Sequence, residues 1–200
     1  MEAKEKILKK SEELFLQYGL KSVTMDDLAS QLGMSKKTLY QFVENKGDLI
    51  EQIIDLHISD EKAFMENTRE TSKDAVEEMI LVARHNIQEL KKLSPTVIYD
   101  LKKYYQHLWL LIEQLESEHT FNFIKSNIER GMSQGVYRAD INVDIITKIY
   151  VLSTMSVVNE KMFSQKIYKK EELFTEFIKY HLQGITTEKG FLLYKKYLKK

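Results

Sequence analysis

The sequence contains no cysteine and only one proline and seven glycines among its 200 residues. Without cysteine, disulfide scaffolds and thiolate zinc sites are excluded, and so little proline and glycine argues against β-sandwiches and collagen. Neither sign of charge is in excess, because 30 basic residues balance 30 acidic ones. Any nucleic-acid or membrane partner would therefore meet a local patch of charge. The fold class that these absences leave is all-α.

Long hydrophobic runs are also missing. The longest apolar-rich stretch, residues 149–158, is far shorter than the roughly 20 residues that span a bilayer. The N-terminus lacks the continuous apolar segment of a signal peptide. Hydrophobic residues nevertheless make up 43% of the chain, which is enough for a sizeable core. We therefore expect a soluble, cytoplasmic protein without a membrane partner.

Apolar residues recur at helical spacing along the chain, which predicts roughly nine helical stretches and a lysine-rich tail. Two short helices are expected at residues 25–32 and 36–42. A long helix after residue 45 would connect this N-terminal module to the rest of the chain. The residues expected to open helices are Thr24, Ser35, Asn45, Ser72, Ser94 and Asn142.

The two short helices have the spacing of a helix-turn-helix. Ala29 is small enough for a close helix crossing, and Gly33 can adopt the positive φ of a tight turn. The inward face would consist of Leu28, Leu32, Met34, Leu39 and Phe42. The outward side chains at the start of the second helix would be Lys36, Lys37, Thr38 and Gln41. In this motif that position enters a DNA major groove, although an ordinary hairpin with a solvated polar face would share the pattern.

The N-terminal segment also carries a family resemblance. Residues 4–50 read KEKILKKSEELFLQYGLKSVTMDDLASQLGMSKKTLYQFVENKGDLI, and they resemble the N-terminal domain of TetR-family transcriptional regulators. The likeness is strongest in T-M-D-D-L-A, G-M-S-K-K-T-L-Y and N-K-x-D-L. It implies a three-helix DNA-binding domain, residues 1–46, and a larger helical ligand-binding and dimerisation domain, residues 47–200. It further implies a homodimer on palindromic double-stranded DNA, usually a repressor that a small molecule releases.

The candidate DNA-binding residues form two groups. Lys37, Thr38 and Gln41 lie within one exposed arc and are expected at base edges, with lysine suited to guanine and glutamine to adenine. The group that the resemblance places at the phosphates comprises Thr24, Ser35, Tyr40 and Lys46. The positive charge of Lys36 at a helix N-terminus is favourable only beside phosphate. We expect Lys46→Ala to weaken binding to all sequences, and Gln41→Ala to alter mainly the sequence preference.

A ligand cavity and a dimer interface are further implications of the resemblance. The candidate ligand-binding residues are Met79, Tyr104, Tyr105, His107, Trp109, Phe121 and Tyr150. The candidate interface residues are Leu152, Met155, Val158, Phe177, His181 and Ile185. Plain core packing is the alternative explanation for both sets, because apolar residues at helical spacing usually belong to the core.

Other functions find less support in the sequence. A di-iron helical bundle needs two Glu-x-x-His motifs, and the chain has one, from Glu116 to His119. No nucleotide-binding glycine loop or activated nucleophile is evident, so we expect neither an enzyme nor a cofactor or metal. The competing interpretation is a helical protein-binding module that keeps the hairpin without reading DNA. Uniform or absent DNA binding would favour it.

Overall fold

The structure, a computed structural model, describes residues 2–92, 94–157, 159, 162–164 and 166–199. Within these ranges the chain forms ten helices, with an isolated β-bridge between Tyr137 and Thr186 and no strand. This confirms the all-α prediction. The helices are α1 (Glu2–Tyr18), α2 (Met25–Gln31), α3 (Lys36–Leu39), α4 (Lys46–Thr71), α5 (Ala75–Lys92), α6 (Pro95–Tyr104), α7 (Gln106–Ser133), α8 (Val143–Val157), α9 (Lys170–Ile185) and α10 (Glu188–Leu198). None of the helices described is both long and apolar enough to cross a membrane.

Side-chain caps open several helices at the predicted residues. The hydroxyl groups of Thr24, Ser35 and Ser94 accept backbone N–H groups from the first turns of α2, α3 and α6. The side-chain oxygens of Asn45 and Asn142 do the same for α4 and α8. These caps satisfy N–H groups that have no partner within their own helix.

The start of α5 differs from the prediction. Its cap is Asp74, whose carboxylate accepts the N–H groups of Val76 and Glu77 at 3.0 and 2.9 Å. Ser72, the predicted cap, instead donates to the carbonyl of Arg69 at 3.3 Å and so belongs to the end of α4. A carboxylate is also favoured by the positive end of the helix dipole, which explains why the aspartate caps α5.

The helix α3 is shorter than predicted and ends at Leu39 instead of Phe42. The N–H groups of Gln41 and Phe42 turn to carbonyl groups three residues back, at 3.1 and 3.0 Å. This tighter turn ends the helix. It directs Val43, which is 3% exposed, into the core, and it leaves Asn45 in place to cap α4.

The chain folds into two compact units, and the first comprises Met1–Glu61 and Lys92–Leu115. It contains α1 to α3, the first part of α4, α6 and the start of α7. Each of these helices contributes side chains to one hydrophobic core, among them Phe15, Leu28, Leu39, Leu49, Leu101 and Leu108. The helix α6 therefore shares a core with the α2–α3 hairpin, although more than fifty residues separate them in the sequence. The prediction that the DNA-binding domain ends at residue 46 concerns function, and it stays a prediction.

The second unit comprises Lys62–Lys91 and Glu116–Lys200. Its core includes Met79, Ile128, Tyr137, Tyr150, Phe174 and Leu182. The ring of Tyr137 lies directly on the backbone of Gly131 in α7, and an added Cβ at that position would overlap the ring. The Tyr137 hydroxyl donates to the carbonyl of Ala75 at 2.9 Å, which satisfies the one polar group of this buried side chain.

A buried ionic cluster lies at the junction of α4, α5 and α7 in the second unit. The carboxylate of Glu78 is 3.1 Å from Arg69 and 2.7 Å from Arg130, and Glu78 is fully buried. Arg130 also donates to the hydroxyl and carbonyl groups of Ser72, both at 2.9 Å. Buried charges require such partners. The cluster therefore fixes the C-terminal end of α4 against α5 and α7.

We expect Gly131→Ala to lower the free energy of unfolding, because the new methyl group would overlap the Tyr137 ring. Overpacking of this kind costs about 1 to 3 kcal/mol. The matched control is Gly184→Ala in α9, where an added Cβ would meet no atom within 4 Å and should stabilise the helix by about 0.5 to 1 kcal/mol. Urea unfolding of the three proteins gives both values. Equal effects of the two substitutions would contradict the packing of Tyr137 on α7.

Candidate nucleic-acid interface

The α2–α3 hairpin has the tight geometry that the sequence predicts. Gly33 has a φ of +66°, and the N–H group of Met34 donates to the carbonyl of Ala29 at 3.0 Å. Ala29 is 4% exposed, while Leu28 and Leu39 are completely buried. The small side chain of Ala29 is thus buried in the core beside the turn, and the apolar face of each helix is anchored in the same core.

Thr24 opens α2 through a reciprocal capping box with Asp27. The Thr24 hydroxyl accepts the N–H group of Asp27 at 3.1 Å and donates to its carboxylate at 2.6 Å. The same carboxylate accepts the N–H group of Thr24 at 2.8 Å. These hydrogen bonds lower the pKa of Asp27. The box fixes the first turn of α2 at the surface where phosphate contacts are predicted.

Ser35 caps the N-terminus of α3. Its hydroxyl oxygen accepts the N–H group of Thr38 at 3.1 Å and lies 2.8 Å from the Thr38 hydroxyl. Thr38 is half-buried and its hydroxyl group contacts Ser35, whereas Lys37 and Gln41 are exposed. Of the three side chains expected at base edges, those of Lys37 and Gln41 are thus the more accessible.

The exposed lysine at the start of α3 has an acidic partner. The ammonium group of Lys36 lies 2.9 Å from the carboxylate of Asp26 on α2, and this ion pair raises the pKa of Lys36. Both side chains are exposed, so water and salt screen the pair and its contribution to stability is small. A DNA phosphate near Lys36 would compete with Asp26. Tyr40, at the end of α3, is 42% exposed.

Lys46 is held more firmly than the other candidate residues. Its ammonium group donates to the carbonyl of Val23 at 2.5 Å and lies 5.7 Å from the centroid of the Phe15 ring. Burial lowers the pKa of Lys46, while Asp100 and Asp27 act in the opposite direction. The side chain therefore joins the N-terminus of α4 to the residue that precedes Thr24. It has a structural role in addition to the predicted contact with phosphate.

The local contacts of this site could be predicted from the sequence, and the distant contacts could not. The Thr24–Asp27 box follows from a spacing of three residues. The bond from Lys46 to the Val23 carbonyl joins residues that are 23 positions apart, and the Lys36–Asp26 pair joins two different helices. No spacing rule predicts either contact.

The candidate ligand-binding residues belong to different compact units. In the first unit Tyr104 and His107 are exposed, whereas Tyr105 and Trp109 are half-buried against the core. The ammonium group of Lys102 lies 4.5 Å from the centroid of the Trp109 ring. The members in the second unit are Met79 and Tyr150, which are buried in the core, and Phe121, which is half-buried.

Two surface grooves of about 500 and 480 Å³ lie in the second unit. The first is lined by Glu188, Lys189, Leu192, Leu193 and Lys196, and the second by Ile87, Lys91, Glu171, Glu172, Thr175 and Glu176. Neither groove includes a candidate ligand-binding residue. Within the described ranges, no three histidine, aspartate or glutamate side chains are grouped as a metal site would require.

The candidate interface residues divide into exposed and buried members. Leu152 is 65% exposed and Met155 is 39% exposed. Phe177 is half-buried beside the Tyr150 ring, and Ile185 is buried in the core of the second unit. Val158 lies outside the described residues.

The remaining member, His181, is also buried. Its ring centroid lies 4.8 Å from that of Tyr150, in an edge-to-face arrangement. Burial lowers the pKa of His181 to about 4. Its imidazole is thus uncharged at neutral pH and belongs to the aromatic core between α8 and α9.

The chain is similar to known proteins in both sequence and fold. Residues 7–53 match the family model of bacterial regulatory proteins of the tetR family. The chain is 26% identical over 187 residues to YvaF of Bacillus subtilis (strain 168), an uncharacterised HTH-type transcriptional regulator. This match covers 92% of the chain and 95% of YvaF.

Two solved structures share the fold. A transcriptional regulator from Cytophaga hutchinsonii ATCC 33406 superposes with a TM-score of 0.75 at 18% identity, over 92% of this chain and 98% of the other. SmeT, the repressor of the Stenotrophomonas maltophilia multidrug efflux pump SmeDEF, superposes with a TM-score of 0.70 at 16% identity, over 92% and 91%.

We expect Lys46→Ala to lower the free energy of unfolding by about 1 to 2 kcal/mol, because it leaves the Val23 carbonyl without its charged donor. The matched control, Lys37→Ala, removes an exposed lysine of α3 and should change stability by less than about 0.5 kcal/mol. Urea unfolding without DNA measures both. A Lys46 variant as stable as the control would show that this lysine does not support the hairpin.

Proposed function

Since the chain belongs, through its N-terminal segment, to the TetR family of bacterial regulatory proteins, we propose that it binds specific double-stranded DNA sequences and thereby regulates transcription. The observation that carries this proposal is the α2–α3 hairpin. Its apolar face is locked into the core around Ala29 and the Gly33 turn, and its polar face is exposed. This is the arrangement in which a second helix enters the major groove. In this proposal the protein recognises DNA and neither catalyses a reaction nor uses a cofactor.

Base recognition is assigned to the exposed arc of α3 and the turn that follows it. Lys37 presents an ammonium group that suits the O6 and N7 acceptors of guanine, and Gln41 an amide that suits adenine. Both side chains are exposed. Thr38 lies between them, and its hydroxyl group also contacts Ser35.

Phosphate contacts are assigned to the residues around this arc. Thr24 and Ser35 hold the helix N-termini of α2 and α3, where backbone N–H groups attract anions. The Tyr40 hydroxyl and the ammonium groups of Lys36 and Lys46 supply further donors. Contacts of this kind fix the register of a protein on DNA but carry no sequence information.

The regulator is proposed to act as a homodimer on a palindromic operator. A single short helix reads few base pairs, and two half-sites related by symmetry multiply the specificity. The exposed apolar stripe of α8 offers a surface for association, and it comprises Ile145, Ile149, Leu152 and Met155. Phe177 of α9 lies beside the ring of Tyr150 in α8, so α9 packs next to this region.

We further propose repression in the cytoplasm, relieved by a small-molecule effector. SmeT, which shares the fold, is itself a repressor. For the effector, Tyr104, Tyr105, His107 and Trp109 are the candidates outside the deep core. Met79 and Tyr150 are buried core residues, and they, unlike the half-buried Phe121, would contribute only if the effector enters that core.

We expect Gln41→Ala to change the sequence preference of DNA binding, because it removes a donor–acceptor pair at the base edges. Lys46→Ala should weaken binding to all sequences and lower the salt slope by about one, because it removes a positive charge near phosphate. Genomic fragments enriched by the purified protein supply the target. Fluorescence titrations of this target and of base-changed versions, at several salt concentrations, measure both effects.

Two results would contradict these assignments. If Gln41→Ala and Lys46→Ala weakened binding to every sequence alike, the division into base and phosphate contacts would be wrong. If the unsubstituted protein bound all DNA equally and released it at modest salt, it would not be a specific regulator. The helical protein-binding module would then be the better interpretation.

We expect Leu152→Glu to convert the dimer to a monomer, because it would bury a charge in an apolar interface. The matched control is Leu192→Glu in α10, whose leucine is 62% exposed, compared with 65% for Leu152. Sedimentation velocity gives the oligomeric state of each protein. A monomeric unsubstituted protein, or a dimer that survives Leu152→Glu, would contradict the proposed interface.

A further inference from the structure

One face of α6 holds the turn between α1 and α2. Thr96, Asp100 and Tyr104 are spaced four residues apart and therefore lie along the same side of this helix. Each of them approaches the turn that begins at Gly19. All of these residues belong to the first compact unit.

The central contact is made by Asp100. Its carboxylate accepts the backbone N–H group of Lys21 at 2.9 Å, across 79 positions of sequence. Asp100 is only 5% exposed. A buried carboxylate is costly unless it is hydrogen-bonded, so this contact is integral to the packing of the turn against α6.

The two flanking contacts bring the turn close to α6. Gly19 has a φ of +87°, and an added Cβ would lie 2.9 Å from Cγ2 of Thr96 and 3.3 Å from the carboxylate of Asp100. At the other end of this face of α6, the ammonium group of Lys21 donates to the Tyr104 hydroxyl at 3.1 Å. Glycine is therefore required at position 19 for both its conformation and its lack of a side chain.

The α1–α2 turn, which packs against α6, leads directly into the candidate DNA-binding hairpin. Lys21 precedes Thr24, the cap of α2, by three residues. Val23, between them, is bonded through its carbonyl to Lys46, and the charge of Asp100 attracts the same ammonium group. The approach to α2 is thus restrained from both α6 and α4.

We infer that Asp100 is a positioning residue for DNA recognition: its carboxylate holds the α1–α2 turn against α6 and thereby sets the placement of α2 and α3. This inference rests on the proposed function. Asp100 itself need not touch DNA. Its effect on DNA affinity passes through the Lys21 amide and the start of α2.

The test combines amide hydrogen exchange with DNA titration for Asp100→Ala and Asp100→Asn. In Asp100→Ala we expect the Lys21 amide to exchange about tenfold faster. The genomic DNA fragment enriched by the unsubstituted protein should bind about three- to tenfold more weakly. Asp100→Asn keeps an oxygen that can accept the Lys21 N–H group, so it should restore most of both. The control is Asp140→Ala, which removes an exposed aspartate of the second unit and should change neither.

Each result decides the inference. Unchanged Lys21 exchange in Asp100→Ala would overturn the contact, and faster exchange with unchanged DNA affinity would overturn the positioning role. If Asp100→Ala failed to fold, the unsubstituted protein would still test the contact, because its Lys21 amide should exchange more slowly than that of exposed Ser22. Equal rates would overturn the inference. Asp100→Asn would then test the positioning role, since any rise in its Lys21 exchange must be matched by weaker DNA binding. Lack of specific DNA binding by the unsubstituted protein would contradict the proposed function, and the Lys21 exchange would still report on the contact with Asp100.

Discussion

The candidate DNA-binding face rests on helices that are too short to persist alone. The helix α2 has seven residues and α3 has four, whereas isolated helices shorter than about 12 residues are marginal in water. Their geometry must come from capping and packing. The hydroxyl groups of Thr24 and Ser35 fix the two N-termini, and Leu28 and Leu39 anchor the buried side. The surface offered to DNA is therefore only as well defined as the core beneath it.

Polar groups that are withdrawn from water connect helices in both units. In the first unit the Asp100 carboxylate joins α6 to the α1–α2 turn. In the second, the Glu78 carboxylate is enclosed by Arg69 and Arg130 at the junction of α4, α5 and α7. A buried carboxylate is costly unless its hydrogen-bonding partners stay within reach. These carboxylates thus specify where helices meet, in addition to the burial that holds them together.

Much of the N-terminal module could be predicted from the sequence, because its signals are local. The positive φ of Gly33 and the Thr24 cap depend on neighbours within a few residues, and the structure contains both. The length of α3 was overestimated because periodicity does not report where backbone hydrogen bonds tighten. Contacts such as that of Lys21 with Asp100 arise only when distant segments meet. The candidate effector residues stay predictions for the same reason, since their surroundings depend on tertiary packing.

The first unit is built from two separate stretches of chain, Met1–Glu61 and Lys92–Leu115. A fragment that ended within α4 would lack Leu101 and Leu108 and would leave the apolar residues they cover open to water. A single recombination crossover between the two stretches would likewise separate the α2–α3 hairpin from some of the residues that complete its core. Exchange of recognition modules between two relatives would succeed only if both stretches travelled together.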